Sequence, residues 1–566
     1  MTRYIAFAVS QGVILCCVNS TAALAQLQIP GTRPKDPNNE LQLPESDIPD
    51  VQIEVEPPPI PERQFNIPKP IVVQRFEISG NTVISTETIE AALAEFLNTP
   101  LSSDDLLAAE SKVGKLYDDQ GYLTTFALLV IDDNQLQEVD GGTLKLTIFE
   151  GKQEQINVAG TKRLRKYVRD RIRAERSGVI NQDALQQSLL LLSIDPRIKS
   201  IQTNLDRGSE IGKGVINAEV KPANPVSFSV SLNNYRSPFI GSFERRVDFD
   251  HLNVFGLGDT FSLSYRNTDG SNAILAGYTV PLNSMNGTLG VDYQYSSSRI
   301  IEEPFDILEL KGRSDIFGVT YRQPIVRVAS NKRVEEFALG LRLTHENSTL
   351  RSPFIPFAVS RGADDSGRYK ATKLIFFQDW AKVTGSYSFS LRSQFNVGLN
   401  IASTNNASRP DGQFFTWQGG VRFAKPLSRN GFRFIFSANV QLADGSLPSS
   451  EQFSFGGQDT VRGYRQNLLS FDNGFIGSIA VEIPIARGKA GTLVGYPFFD
   501  IGTGWNSADS LIPTPNTLAA GGIGVKFQLN NRFELKAEWG IPFINRPGVT
   551  NSLNDQGIYV SVGYKF

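Results

Sequence analysis

From Val226 to the last residue the chain is made of short runs in which apolar and polar residues alternate: VSFSVSLNNY, RRVDFDHLNV, DTFSLSYRNT, GTLGVDYQYS, SLRSQFNVGLNI, FRFIFSANVQL and GIYVSVGYKF. A period of two puts successive side chains on opposite faces of a strand, so this part of the chain is committed to β-sheet. In the final run Ile558, Val560, Val562, Tyr564 and Phe566 share one face, and Tyr559, Ser561, Gly563 and Lys565 share the other. A soluble sandwich would alternate too. Two features point instead to a sheet closed in lipid. Short connections (PLNSMNG, AKVTG, PLSRNG, QLNNR) take turns with long ones (SRIIEEPFDILEL and residues 543–555), as in barrels with short turns at one rim and long loops at the other. Strands also repeatedly end in aromatic residues, which suit the two membrane interfaces. After the N-terminal segment, LLLLSI and FALLVI are the longest apolar runs. Neither approaches the ~18 residues of a spanning helix, and a closed barrel is the other way to pair every backbone group in hydrocarbon. About 340 residues, at roughly ten per tilted strand plus connections, make an antiparallel barrel of about sixteen strands over residues 226–566.

The N-terminus predicts a secretory signal over residues 1–25. Arg3 supplies the positive charge, Ile5 to Val18 the apolar stretch, and Ala23-Leu24-Ala25 a small-residue cleavage site. Both cysteines, Cys16 and Cys17, fall inside it, and Leu15 before Cys16 is too large for a lipoprotein site. The mature chain then has no thiol for disulfides, catalysis or zinc. His251 and His345 are isolated, and no phosphate-binding glycine loop or nucleophile elbow is present. The expectation is a non-enzymatic protein with no catalytic residues, no metal and no cofactor. A net charge of −2 gives no electrostatic case for nucleic acid. Residues 26–70 are crowded with proline and acidic residues and read as an extended linker.

Between linker and barrel one pattern occurs twice. Residues 71–151 read as strand IVVQRFEISGNTVIS, helix TETIEAALAEFLN with Thr86 placed to cap it, helix SSDDLLAAESKVGKLYDDQG, and strands YLTTFALLVI and GTLKLTIFEG. Residues 152–224 repeat the order with QEQINVAG, KRLRKYVRDRIRAE, NQDALQQSLLLLSID, IKSIQTNLD and KGVINAEVKP. Each is a β-α-α-β-β unit of α+β type.

Inside the barrel region, FGGQDTVRGYRQN (Phe455–Asn467) sits in a polar, glycine-rich connection at 444–474. Loops of that length are seldom ordered without something to hold them. Two strands later FFDIGTGW (Phe498–Trp505) alternates so that Asp500, Gly502 and Gly504 share one face. A carboxylate facing hydrocarbon is costly, so Asp500 is expected to face the lumen. Gly463 permits a reversal at positive φ, and Tyr464 can pack on the wall. The reading is that the connection folds into the barrel and the Arg462 fork meets Asp500.

The Ile-Ser-Gly-Asn and Val-Ala-Gly-Thr strand ends in this helix order resemble POTRA domains, which can capture an extended client as an added strand. The pairing of FGGxxxVRGY with FxDxG resembles the outer-membrane superfamily of two-partner secretion transporters and BamA-type insertases. HLNVFGLGDTFSLSY (His251–Tyr265) looks like the transporter branch. Phe566, closing on Tyr564, resembles the C-terminal strand signal of outer-membrane proteins. The resemblance implies that Arg462 and Asp500 interact inside the barrel, with Val461, Gly463, Tyr464, Gly456, Gly457, Phe499 and Gly502 as supporting positions. It implies a pore in the outer membrane of a Gram-negative-type cell, with the POTRA units in the periplasm. A large, β-rich secreted exoprotein, taken in extended form, would be the partner. Outer-membrane lipid and the barrel-assembly machinery that inserts the chain itself would be the others. The alternative is a BamA-like insertase, a branch that tends to carry more modules than two. Family members often begin with a barrel-plugging helix; this chain departs from that pattern in a proline-rich start that marks no position for one before about Ile71, which leaves plugging by that route open.

Overall fold

A computed structural model describes residues 53–55 and 69–566, apart from 131–141, 173–177, 211, 355–357, 359, 407–409, 429, 489, 508–513, 531 and 546–551. The expected signal segment and most of the linker lie outside the described residues. One piece of the linker does not: β1 (Ile53–Val55) is a strand.

The first α+β unit contains β2 (Ile71–Ser79), helix α1 (Thr86–Leu93), β3 (Pro100–Leu101), helix α2 (Ser103–Asp118), β4 (Phe126–Val130) and β5 (Gly142–Phe149). The second contains β6 (Lys152–Ala159), α3 (Arg165–Ile172), α4 (Gln182–Ser193), β7 (Ile198–Arg207) and β8 (Lys213–Pro222). Both sheets are mixed. In the first, β5 lies parallel to β2 and antiparallel to β4; in the second, β8 lies parallel to β6 and antiparallel to β7. The linker strand β1 adds itself parallel to β7, with Ile53 beside Thr203 and Val55 beside Leu205.

Local chemistry explains the helix starts. Ser85, not Thr86, is the N-cap of α1, because its extended backbone lets the hydroxyl accept from Thr88 N. Ser102 and Asp105 form a capping box on α2. Apolar residues of both helices, among them Ile89, Leu93, Leu106 and Val113, are buried against Val73, Phe76, Leu144 and Leu146 of the sheet. Beside this core Glu150 accepts from Thr82 N (2.6 Å), Val83 N (2.9 Å) and the Tyr117 hydroxyl (3.2 Å). Burial pushes its carboxyl up, but the hydrogen bonds from Thr82, Val83 and Tyr117 outweigh burial and hold it below the usual carboxylate range.

All but two of the remaining strands close into one antiparallel barrel. Its first half is β9 (Val226–Asn233), β10 (Glu244–Leu252), β11 (Thr260–Asn267), β12 (Ser271–Pro281), β13 (Thr288–Arg299), β14 (Lys311–Ser330), β15 (Arg333–Arg351) and β16 (Arg368–Thr384). The AKVT stretch, expected in a turn, continues β16 instead, because it alternates as the strand does and pairs with β15. The second half is β17 (Ser388–Leu399), β18 (Phe415–Pro426), β19 (Arg433–Ala443), β22 (Asn473–Gly488), β23 (Gly491–Trp505), β24 (Thr517–Leu529), β25 (Phe533–Pro542) and β26 (Ile558–Lys565). Sixteen strands thus form the wall. Between β19 and β22, β20 (Phe453–Phe455) and β21 (Leu469–Phe471) pair with each other.

The wall has an apolar outer face and a charged inner one. Leu289, Val291 and Tyr293 of β13 are exposed, while Asp292 between them meets Arg342 of β15 through two contacts of 2.7 Å. The barrel closes where β26 meets β9, Ser561 beside Asn233 through Lys565 beside Ser229. Phe566 N donates to Phe228 O (2.9 Å), and the Phe566 ring lies 4.8 Å from Tyr564 and 5.4 Å from Phe228.

Replacing Glu150 with alanine strands four donors, the Thr82 hydroxyl and the Thr82 N, Val83 N and Tyr117 hydroxyl named above, so Glu150→Ala should cost about 1–3 kcal/mol. Urea denaturation of the purified chain at neutral pH, followed through helical circular dichroism, reads this unit because the helices lie in the two α+β units. A depressed carboxyl stabilises above its unfolded value of about 4.3 and loses that contribution as pH falls through the folded value. The difference between wild type and variant should therefore shrink below about pH 4.

Candidate functional site

The connection from β19 to β22 turns inward, and apolar burial holds it there. Phe453, Phe455, Val461, Tyr464, Leu469 and Phe471 form one buried cluster with Ile476, Leu518 and Ala520 of the wall. A large apolar side chain contributes about 1.5–3 kcal/mol on burial, so this cluster supplies most of the attraction between loop and wall. Glycines of β23 make the room: a Cβ on Gly502 would lie 2.8 Å from Phe455 and 2.9 Å from Val461. Gly456 and Gly457 begin the turn at the apex, where Gly457 N donates to Val461 O (3.0 Å) and Gly456 N to Thr460 Oγ1 (2.9 Å).

At the tip Arg462 and Asp500 meet through both ends of the fork. Nε lies 2.7 Å from Oδ2 and Nη2 lies 2.7 Å from Oδ1, while the Arg462 backbone N–H donates to Oδ2 at 3.0 Å. Nη1 donates to Glu538 of β25 (2.9 Å) and Nη2 to Ser478 of β22 (3.1 Å). The guanidinium carbon sits 3.5 Å from the centre of the Phe498 ring, a stacked cation–π contact. Asp500 and Glu538 side chains are fully buried and the Arg462 side chain is 11% exposed. Lys536, 3.0 Å from Glu538, brings the set to two cations and two carboxylates. Charge balance is what makes such burial tolerable, since an unpaired buried ion costs several kcal/mol.

Gly463 has φ 97°, a conformation side chains with a Cβ resist. It also passes close to the wall: a Cβ on Gly540 would lie 2.5 Å from Gly463 N. Tyr559 of the last strand receives Gly463 N at 3.2 Å and donates to Tyr464 O. The Tyr464 hydroxyl lies 2.9 Å from Ala519 O and accepts from Ile544 N at 3.1 Å. The tip is therefore fastened to β22, β23, β24, β25 and β26 together.

One supporting position is corrected. Phe499 is exposed on the outer face and packs on Phe543 (6.2 Å); Phe498, on the Asp500 face, is the ring under the arginine. Strand parity decides this, because neighbours in a strand point to opposite sides. Sequence reasoning missed Glu538, Ser478, Tyr559 and Gly540. Their alternation in NGFIGSIAVEIP, FELKAEWGIP and GIYVSVGYKF marks an inward face, but which inward residues meet one loop depends on the height at which each strand crosses the barrel.

A methyl group at Gly540 should push the tip off the wall. In Gly540→Ala the loop arginines should become cleavable by trypsin added outside whole cells, at a rate at least on the order of tenfold above wild type. A resistant loop would show that the close approach is dispensable.

Two family descriptions match the chain. "POTRA domain, ShlB-type" matches residues 71–151, and "Haemolysin secretion/activation protein ShlB/FhaC/HecB" matches residues 212–527. The chain is 24% identical to the outer membrane transporter CdiB of Escherichia coli O6:K15:H31 (strain 536 / UPEC), over 74% of this chain and 70% of that one. It is 22% identical to the heme/hemopexin transporter protein HuxB of Haemophilus influenzae (strain ATCC 51907 / DSM 11121 / KW20 / Rd), over 75% and 74%. The solved structure of CdiB from Escherichia coli shares the fold, with a TM-score of 0.66 at 18% identity, covering 99% of this chain and 98% of that one. With an inward loop in a closed barrel, two periplasmic POTRA-type units and a family match over more than half its length, the chain belongs to the ShlB/FhaC/HecB family of haemolysin secretion/activation proteins, the outer-membrane pores of two-partner secretion.

Proposed function

We propose that the two POTRA units hold one large, β-rich exoprotein in extended form, and that the barrel lumen conducts it outward while Arg462 keeps the inward loop seated. The observation that carries this reading is the buried fork of Arg462 between Asp500 and Glu538. Apolar packing alone would let the loop slide, whereas a bidentate pair fixes one register. Mixed sheets with edge strands suit an unfolded client, because main-chain hydrogen bonds give affinity without demanding a strict sequence. The sequence carries no nucleotide-binding motif, so the drive would come from the client folding outside, and the chain would act as a conduit rather than an enzyme. Phe566 beside the barrel seam suits recognition by the barrel-assembly machinery during insertion into outer-membrane lipid. An insertase would have to part β26 from β9. Asn234 reinforces that seam through Ile558 O (2.9 Å) and Val560 N (2.7 Å).

In a deletion strain, one exoprotein should disappear from the medium while other outer-membrane barrels persist; broad loss of barrels would support the insertase instead. Complementation with Arg462→Ala should leave the chain in the membrane and lower export of that exoprotein at least on the order of tenfold, as breaking a buried pair implies. Wild-type export by the variant would remove Arg462 from the mechanism.

A further inference from the structure

Three residues beyond Arg462, on the other side of the Gly463 reversal, a second arginine is fastened in a different direction. Arg465 Nε and Nη2 lie 2.7 and 2.9 Å from the two oxygens of Asp555. Its Nη2 and Nη1 lie 2.9 and 3.2 Å from those of Glu302. One guanidinium therefore grips two carboxylates, each bidentately, and the three side chains are only 7–11% exposed. The Phe239 ring lies 5.4 Å away.

None of these partners belongs to a strand of the wall. Phe239 is in the β9–β10 connection, Glu302 in β13–β14 and Asp555 in β25–β26. With the POTRA units in the periplasm, β9 runs outward, so each of these connections lies at the outer rim. They are joined to one another there. Phe239, Ile300, Leu310 and Leu350 form a buried cluster drawn from the connections and adjoining strand ends. Ile301 N donates to Phe239 O (2.9 Å), and Asn554 Nδ2 to Arg236 O (2.9 Å). Arg465 thus ties the inward loop to a cap of outer connections, while Arg462 ties it to the inner wall.

We propose that Arg465 is a positioning residue that closes the outer mouth of the pore, a fastening that releases separately from the Arg462 site. This rests on the lumen being the client's route: an emerging chain must part the cap from the loop. Charge makes the release decisive. Without the guanidinium, Glu302 and Asp555 face each other nearly buried, and like charges in a poorly solvated place repel. Losing Arg465 therefore converts a tie into a repulsion.

The test is the conductance of the purified full chain in planar bilayers, with no client present, so an error about the client leaves it intact. Arg465→Ala should raise the open fraction at least on the order of tenfold. Adding Glu302→Gln and Asp555→Asn to that variant should bring the open fraction back toward wild type by removing the repulsion. Arg465→Lys keeps the charge but not the two forks, and should lie between wild type and Arg465→Ala. Wild-type conductance in Arg465→Ala, or an increase that neutralising both carboxylates does not reverse, overturns the proposal. Heat-modifiable electrophoretic mobility reports whether each barrel is folded. If Arg465→Ala does not fold, Glu302→Gln in the otherwise native chain decides: a raised open fraction supports the gate, and an unchanged one overturns it.

Discussion

In hydrocarbon every backbone N–H and C=O must find a partner within the protein, and that demand orders the rest of this structure. A sheet meets it by closing on itself, so β26 returns to β9. Closure divides every strand into a lipid-facing set and a lumen-facing set. The outer set holds residues such as Leu289, Val291 and Tyr293, and the inner set holds charges such as Asp292 and Arg342. A polar lumen can then receive a polar loop tip whose arginine would have no place in the membrane.

Two kinds of interaction hold that tip, and they differ in what they supply. The cluster around Phe455, Phe471 and Tyr464 removes large apolar groups from water and contributes most of the attraction. The charged set of Arg462, Lys536, Asp500 and Glu538 pays heavily for desolvation and contributes little net stability. Its value is selectivity: only one placement of the loop satisfies the fork, the backbone N–H and the Phe498 ring together. A transport pore has use for that combination, because a loop that is attracted but unregistered would obstruct the lumen unpredictably.

The same loop carries a second fastening with a different address. Arg462 meets wall residues on rigid strands, whereas Arg465 meets residues on connections at the rim. Strand positions are held by ladders on both sides, while connections are held by fewer hydrogen bonds and separate at lower cost. The two arginines thus divide seating from closing.

Much of this was legible in the residues. Alternation after Val226 dictated sheet, and the strand count followed from length. The repeated β-α-α-β-β order was visible because helix and strand periods differ, and KGVINAEVKP was read at the limits of β8. Local choices were less secure: Ser85 took the cap from Thr86 because the cap needs extended backbone just before the helix, and β1 formed in a linker whose composition spoke only for extension. The pairing of Arg462 with Asp500 came from resemblance, and parity placed Asp500 in the lumen. Parity also shows why Phe498 rather than Phe499 lies under the arginine. By itself the sequence determined which face each strand residue takes, since that depends on neighbours one and two positions away. Only the tertiary structure decided that Glu538, Ser478 and Tyr559 converge on one loop tip, and that Glu302 and Asp555 share one arginine. Glu538 and Ser478 lie 76 and 16 residues from Arg462 along the chain, Tyr559 lies 96 from Gly463, and Glu302 and Asp555 lie 163 and 90 from Arg465; what brings them together is the stagger and closure of the barrel, which no local pattern encodes.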